Sequence, residues 1–124
     1  MKLFTVEEAN RLLPTVRAIL VDIQRAHGRL RALRDQARAA ADKSVRAGGI
    51  QGGALYAAAL VQLTEKMAEL AALGVQLKDI DRGLVDFPHM RDGRVVLLCW
   101  HLGEGDRIEW WHEWDAGFAG RQPL

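Results

Sequence analysis

The chain has 124 residues, 49% of them hydrophobic and 27% charged, with a formal net charge of +1. That length can bury one core without staples, and near-neutrality removes any global field drawing it to nucleic acid or membrane. A lone cysteine, Cys99, excludes an internal disulfide framework and suits a reducing compartment.

The first residues, Met1-Lys-Leu-Phe-Thr-Val-Glu-Glu8, lack the apolar stretch of a secretory signal. The longest apolar runs, 54–61 and 95–100, fall well short of the ~20 residues that span a bilayer. The expectation is a cytoplasmic protein with no membrane partner.

Thr5 reads as a helix N-cap, and Glu8 three residues on completes a capping box, with Phe4 placed to staple the first turn. Apolar residues then recur in steps of three and four: Ala9, Leu12, Val16, Ile19, Ile23, Ala26, Leu30, Leu33, Ala37 and Ala40. Such a heptad seam favours coiled-coil packing. Pro14 removes a donor from the carbonyl of Asn10, so a kink or a divided helix is expected there. Gly48, Gly49, Gly52 and Gly53 surround Ile50 and Gln51 and read as a turn. A second helix follows, with Tyr56, Leu60, Leu63, Met67 and Leu70 at heptad spacing and Gly74 as its C-terminal cap. The pair forms an antiparallel hairpin over about residues 5–74, roughly 60 Å of first helix against roughly 30 Å of second.

Beyond Gly74 the period shortens. Gly83-Leu-Val-Asp-Phe-Pro88 reads as a strand ended by proline, and Arg91-Asp-Gly93 as a turn. Val95-Val-Leu-Leu-Cys-Trp100 reads as a second strand, and residues 108–114 return antiparallel after Gly103-Glu-Gly105. The expected fold is α+β: a single domain, 1–124, in which a long coiled-coil-like helical hairpin precedes a three-stranded antiparallel β-meander and tail at about 83–124.

Both alternating sets of the middle strand are apolar, Val95, Leu97 and Cys99 on one face, Val96, Leu98 and Trp100 on the other. A sheet with one wet face would alternate with polar residues, so both faces need cover. The hairpin covers one. The tail, a ligand or a partner chain must cover the other, and a partner, hence a homodimer, is the preferred expectation.

The polar chemistry is densest between Asp86 and Arg121. Trp100, Trp111, His112, Glu113 and Arg121, with Asp86 from the first strand, are the ligand-binding candidates, since aromatic walls with a few charged groups build small-molecule sites and interfaces alike. Glu104, Glu109 and His112, with Asp86, are the candidate ligands for a divalent metal, although no helical or CxxC metal spacing is present. Cys99 and His101 share a face, yet a thiol inside an apolar run is usually inert. Arg29, Arg31, Arg34, Arg38, Lys43 and Arg46 make the distal first helix basic, but no aromatic residue accompanies them for base stacking.

Four ordered motifs carry a resemblance. They are Phe4-Thr-Val-Glu-Glu-Ala-Asn-Arg-Leu-Leu-Pro14, Gly83-Leu-Val-Asp-Phe-Pro88, Leu98-Cys-Trp100 with Gly103-Glu104, and Trp111-His-Glu113 with Gly117-Phe-Ala-Gly-Arg121. Over nearly its whole length the chain resembles a family of small prokaryotic proteins catalogued as domain of unknown function 2203. The resemblance implies a bacterial cytosolic protein and places Asp86, Cys99, Trp100, Glu104, His112, Glu113, Gly120 and Arg121 within the family motifs, His101 outside them.

Three functional expectations follow, in this order. The first is a non-enzymatic homodimeric binding or scaffolding protein presenting the Trp/His/Glu/Arg surface to a ligand or protein partner. The second is a metal-dependent, hydrolase-like enzyme using the His and Glu ligands and a bound water. The third is nucleic-acid binding along the basic helix.

Overall fold

The structure is a computed structural model. It describes the backbone of residues 1–43 and 49–124 and the side chains of 1–39 and 53–124. Helix α1 (Val6–Lys43) and helix α2 (Gly49–Ala72) precede five strands: β1 (Gln76–Asp79), β2 (Leu84–Arg91), β3 (Arg94–His101), β4 (Trp110–His112) and β5 (Gln122–Pro123). The sheet is an antiparallel meander in chain order. The α+β class stands, with five strands in place of three.

The start of α1 forms as its residues dictate. Thr5 N–H donates to Glu8 Oε1 and Glu8 N–H to Thr5 Oγ1, both at 3.1 Å. The helix continues through Pro14, so the divided helix is not formed. The proline forgoes the helical bond to the Asn10 carbonyl, and tertiary packing holds the segment, with Leu13 and Val16 buried on either side.

The seam of α1 is buried at Ala9, Val16, Ile19, Ile23, Ala26 and Leu30, widened by Leu13 and Leu20. It runs out at Ala37, which is exposed, and Ala40 lies outside the described side chains. On α2 the buried line is Ala59, Leu63 and Leu70, while Tyr56, Leu60 and Met67 are exposed. The buried line of α2 is therefore rotated by part of a turn from the expected seam, with Leu63 and Leu70 common to both.

The glycine turn also needs correction: Gly49 already opens α2, so residues 49–53 are helical, and Gly48 lies outside the described residues. At its other end α2 closes in a Schellman motif. Val75 N–H donates to Leu70 O and Gly74 N–H to Ala71 O, with Gly74 at φ 89°. A Cβ on Gly74 would come within 2.8 Å of the Lys2 Cβ, so glycine is required there twice over.

Strand β2 does not stop at Pro88 but runs three residues further. The Pro88 carbonyl accepts from Phe4 N–H at 2.7 Å, on the side away from β3. A residue's N–H points the same way as its C=O, so proline here costs the ladder no donor. Asp92 (φ 50°) and Gly93 (φ 78°) then make a two-residue turn with positive φ at both positions. Strands β1 and β5 escaped the sequence reading for different reasons. Gln76-Leu-Lys-Asp79 has little strand character alone, and β5 is two residues held against Trp110 and Trp111.

The inner face of the sheet meets the helices. Val85, Phe87, Val96, Leu98, Trp100 and Trp111 join the apolar core with α1 and α2, and Phe4 meets Phe87 edge-on at 5.4 Å. The outer face carries Leu84, Asp86, Leu97, Cys99 and His112, all buried. Its cover is the chain's own tail: Trp114, Gly117 and Phe118 stand beside these residues, and Arg121 lies over the Trp110 ring. The expected partner chain is not needed to shelter this face. Among the described residues no helix is long and apolar enough to cross a membrane.

Candidate functional site

Hairpin register builds the site. With a two-residue turn at Asp92-Gly93, counting back equally along β2 and β3 sets Asp86 opposite Cys99. On the next strand pair Leu97 faces His112 and Cys99 faces Trp110. Side chains of one parity therefore bring Asp86, Cys99 and His112 to adjacent positions on three strands.

Asp86 and His112 are each 2% exposed. Nε2 of His112 lies 3.1 Å from both carboxylate oxygens of Asp86. On the opposite side of the ring, Nδ1–H donates to the Glu113 carbonyl at 2.8 Å. Because a carbonyl can only accept, Nδ1 carries a proton, and a further proton is shared between Nε2 and the Asp86 carboxyl. The ring is thus fixed with Nε2 turned inward. Among the described residues, Asp86, Cys99 and His112 form the one group of metal-capable side chains whose ligand atoms all lie within 4.8 Å of each other. Burial pushes the Cys99 thiol up to about 12, with negative Asp86 adding to the effect and Arg121 opposing it. A thiol raised so far is no nucleophile at neutral pH.

A second, half-buried pair adjoins it. Arg121 donates to Glu104, whose other oxygen accepts from His101 N–H at 2.9 Å. The Arg121 guanidinium also lies 4.7 Å from the Phe118 ring centroid and 4.8 Å from that of Trp110. Its Nε is buried and has no hydrogen-bond partner within the protein. A cavity of about 160 Å³ opens beside Asp86 and His112, walled by Lys78, Leu84, Leu97, Trp114, Gly117 and Phe118. A wider cleft of about 510 Å³ lies on the other side of Phe118, lined by Gln24, Asp81, Arg82, His101 and Leu102.

The structure thus unites Asp86 and His112 and places Arg121 nearby through Glu104. Trp100 and Trp111 instead point into the helix-facing core, where Arg91 caps the Trp111 ring at 4.4 Å. Glu113 leaves the cluster to pair with Arg94, whose hydrogen bonds hold its carboxyl below the ordinary range. Of the metal candidates, Glu104 is taken by Arg121 and Glu109 is exposed, so Glu104, Glu109 and His112 do not converge. Cys99, read from the sequence as an inert thiol, takes the place given there to glutamates; the register fixed by a two-residue turn at Asp92-Gly93 is the signal that reading did not use. On the basic helix, Arg29 donates to Gln62 at 2.7 Å and Arg31 lies 3.6 Å from Asp81. Arg46 and the side chain of Lys43 fall outside the described residues.

Comparison with known proteins agrees with the resemblance seen in the motifs. The model of an uncharacterised conserved protein family, domain of unknown function 2203, matches residues 2–124, and the chain belongs to that family. No curated protein and no solved structure matches it.

Proposed function

Family membership fixes kinship and not chemistry, and on the chemistry we propose a non-enzymatic binding protein whose site is the tail-covered outer face of the sheet. The ligand sits at Asp86 and His112, with Glu104 and Arg121 alongside. One observation carries this reading: a buried carboxylate–imidazole pair lies beside a cavity in a small domain, with a half-buried Glu104–Arg121 pair next to it. Removing charges from water costs several kcal/mol each before any pairing, and apolar residues would cover the same strands at no such cost. Buried ionisable groups beside a cavity are the mark of a site. The unpaired Arg121 Nε adds a donor that no protein group uses. Binding suits the cluster better than covalent catalysis, since the raised Cys99 thiol offers no attacking group.

Native-condition mass spectrometry of protein purified without chelator tests the reading. A stoichiometric ion or small molecule, released on denaturation and absent from Asp86→Val/His112→Leu protein, is expected. A clean apo mass, together with no thermal shift from a panel of divalent ions and small anions, would refute it.

Self-association is a second reading, now resting on the helical hairpin alone. Tyr56, Leu60 and Met67 form an exposed apolar strip beside the buried line of α2, with Leu55 and Val61 also exposed. A homodimer through this strip is favoured by that exposure. Sedimentation should show a dimer that Leu60→Glu/Met67→Glu converts to monomer; a monomeric parent protein rejects it.

A further inference from the structure

We infer that Asp86 Oδ, Cys99 Sγ and His112 Nε2 are the three protein ligands of a transition-metal site of the zinc class, open at its fourth position to the 160 Å³ cavity. The inference rests on the binding reading above and names the ligand of that site.

Geometry comes first. Zinc bonds of about 2.0–2.3 Å to nitrogen, oxygen and sulfur put tetrahedral ligand atoms roughly 3.5 Å apart. The three atoms here lie within 4.8 Å of one another, so about 1 Å of side-chain closure completes the cage. The donors come from β2, β3 and β4 of one continuous sheet, which holds them more firmly than loops would.

The orientation of His112 is the second observation. A metal-binding imidazole almost always donates its other N–H to a carbonyl or carboxylate, which fixes the tautomer. Here Nδ1–H already donates to the Glu113 carbonyl at 2.8 Å, leaving Nε2 to face the carboxylate and the thiol. The support usually found behind a ligand histidine is therefore in place.

Charge balance is the third. Before binding, the cluster holds one carboxylate, one thiol and one shared imidazole proton, and it is neutral overall. A divalent ion displaces the Sγ proton and the proton shared by Asp86 and His112. Both leave to solvent, and M²⁺ with one thiolate, one carboxylate and neutral imidazole is again neutral. The buried site changes its contents without acquiring net charge, which desolvation would otherwise oppose. Mixed sulfur, nitrogen and oxygen donors favour zinc, cobalt or iron(II) over magnesium or calcium. Lys78 on the cavity wall suits water, hydroxide or a small anion as the fourth ligand.

Cobalt(II) titrated into chelator-treated full-length protein tests the assignment, because thiolate ligation gives an intense near-ultraviolet band that oxygen and nitrogen ligands do not. One equivalent should saturate the band, and zinc should abolish it by displacement. Cys99→Ser, which keeps shape and volume, should lose the band entirely while retaining the parent circular dichroism spectrum. No band in the parent protein, or a band that persists in Cys99→Ser, overturns the site. If cobalt fails but mass spectrometry finds an organic molecule lost with Asp86→Val/His112→Leu, the metal is wrong and the binding reading survives.

Discussion

The two faces of the sheet are made from the same strands and differ in what their residues do. On the inner face, Val85, Phe87, Val96, Leu98, Trp100 and Trp111 are apolar and lock into the helices. On the outer face, Asp86, Cys99 and His112 are equally buried but sit under a short, half-exposed tail. Burial alone therefore does not mark a residue as structural. What separates the faces is whether the buried atoms can satisfy one another by packing, or need partners that packing cannot provide.

The two largest effects should fall one on each face. Trp100→Ala removes a fully buried indole whose Nε1 donates to Gly105 O, and should cost about 3–5 kcal/mol in denaturant unfolding. On the outer face, His112→Leu alone leaves the Asp86 carboxylate buried without its partner and should also cost about 3–5 kcal/mol. Adding Asp86→Val should recover that loss in full, whereas no second apolar change would rescue Trp100→Ala. A non-additive pair on one face and an unrescuable single change on the other is the sharpest form of the contrast.

A smaller effect is expected with pH. The Cys99 thiol rises from 9.0 to about 12 on folding. Between those values the unfolded chain gives up a proton that the folded chain keeps, so metal-free stability falls as pH rises, at up to about 1.4 kcal/mol per pH unit. Below pH 9 this group contributes no slope, and Cys99→Ala should flatten the alkaline limb. The smallest change is remote from both faces: Thr5→Ala removes the N-cap of α1 and should cost about 1 kcal/mol.

Local signals were legible wherever one residue type has one physical role. Thr5 and Glu8 made their capping box, Gly74 its C-cap, and Asp92-Gly93 its two-residue turn. Signals that depend on neighbours were not. The α2 seam could be placed only once α1 fixed which side of α2 it covers, and β5 is a two-residue strand paired with the edge of β4. The site lay between these cases. Asp86, His112 and Arg121 were visible in the segment where polar chemistry is densest, while Cys99 was hidden by the apolar run 95–100, since a thiol passes for a hydrophobe. Trp100 and Trp111 misled for the opposite reason, because large aromatic residues serve cores and binding surfaces alike, and only the strand's parity decides between them.

Thermal melting of the parent protein and of Asp86→Val/His112→Leu, each with and without added zinc, tests most directly whether the outer-face charges serve ligand binding. The account predicts that the apo double variant melts at or above the apo parent, and that zinc raises only the parent. A double variant melting far below the parent, with zinc moving neither protein, would show that the buried pair exists to hold the fold and would contradict the account.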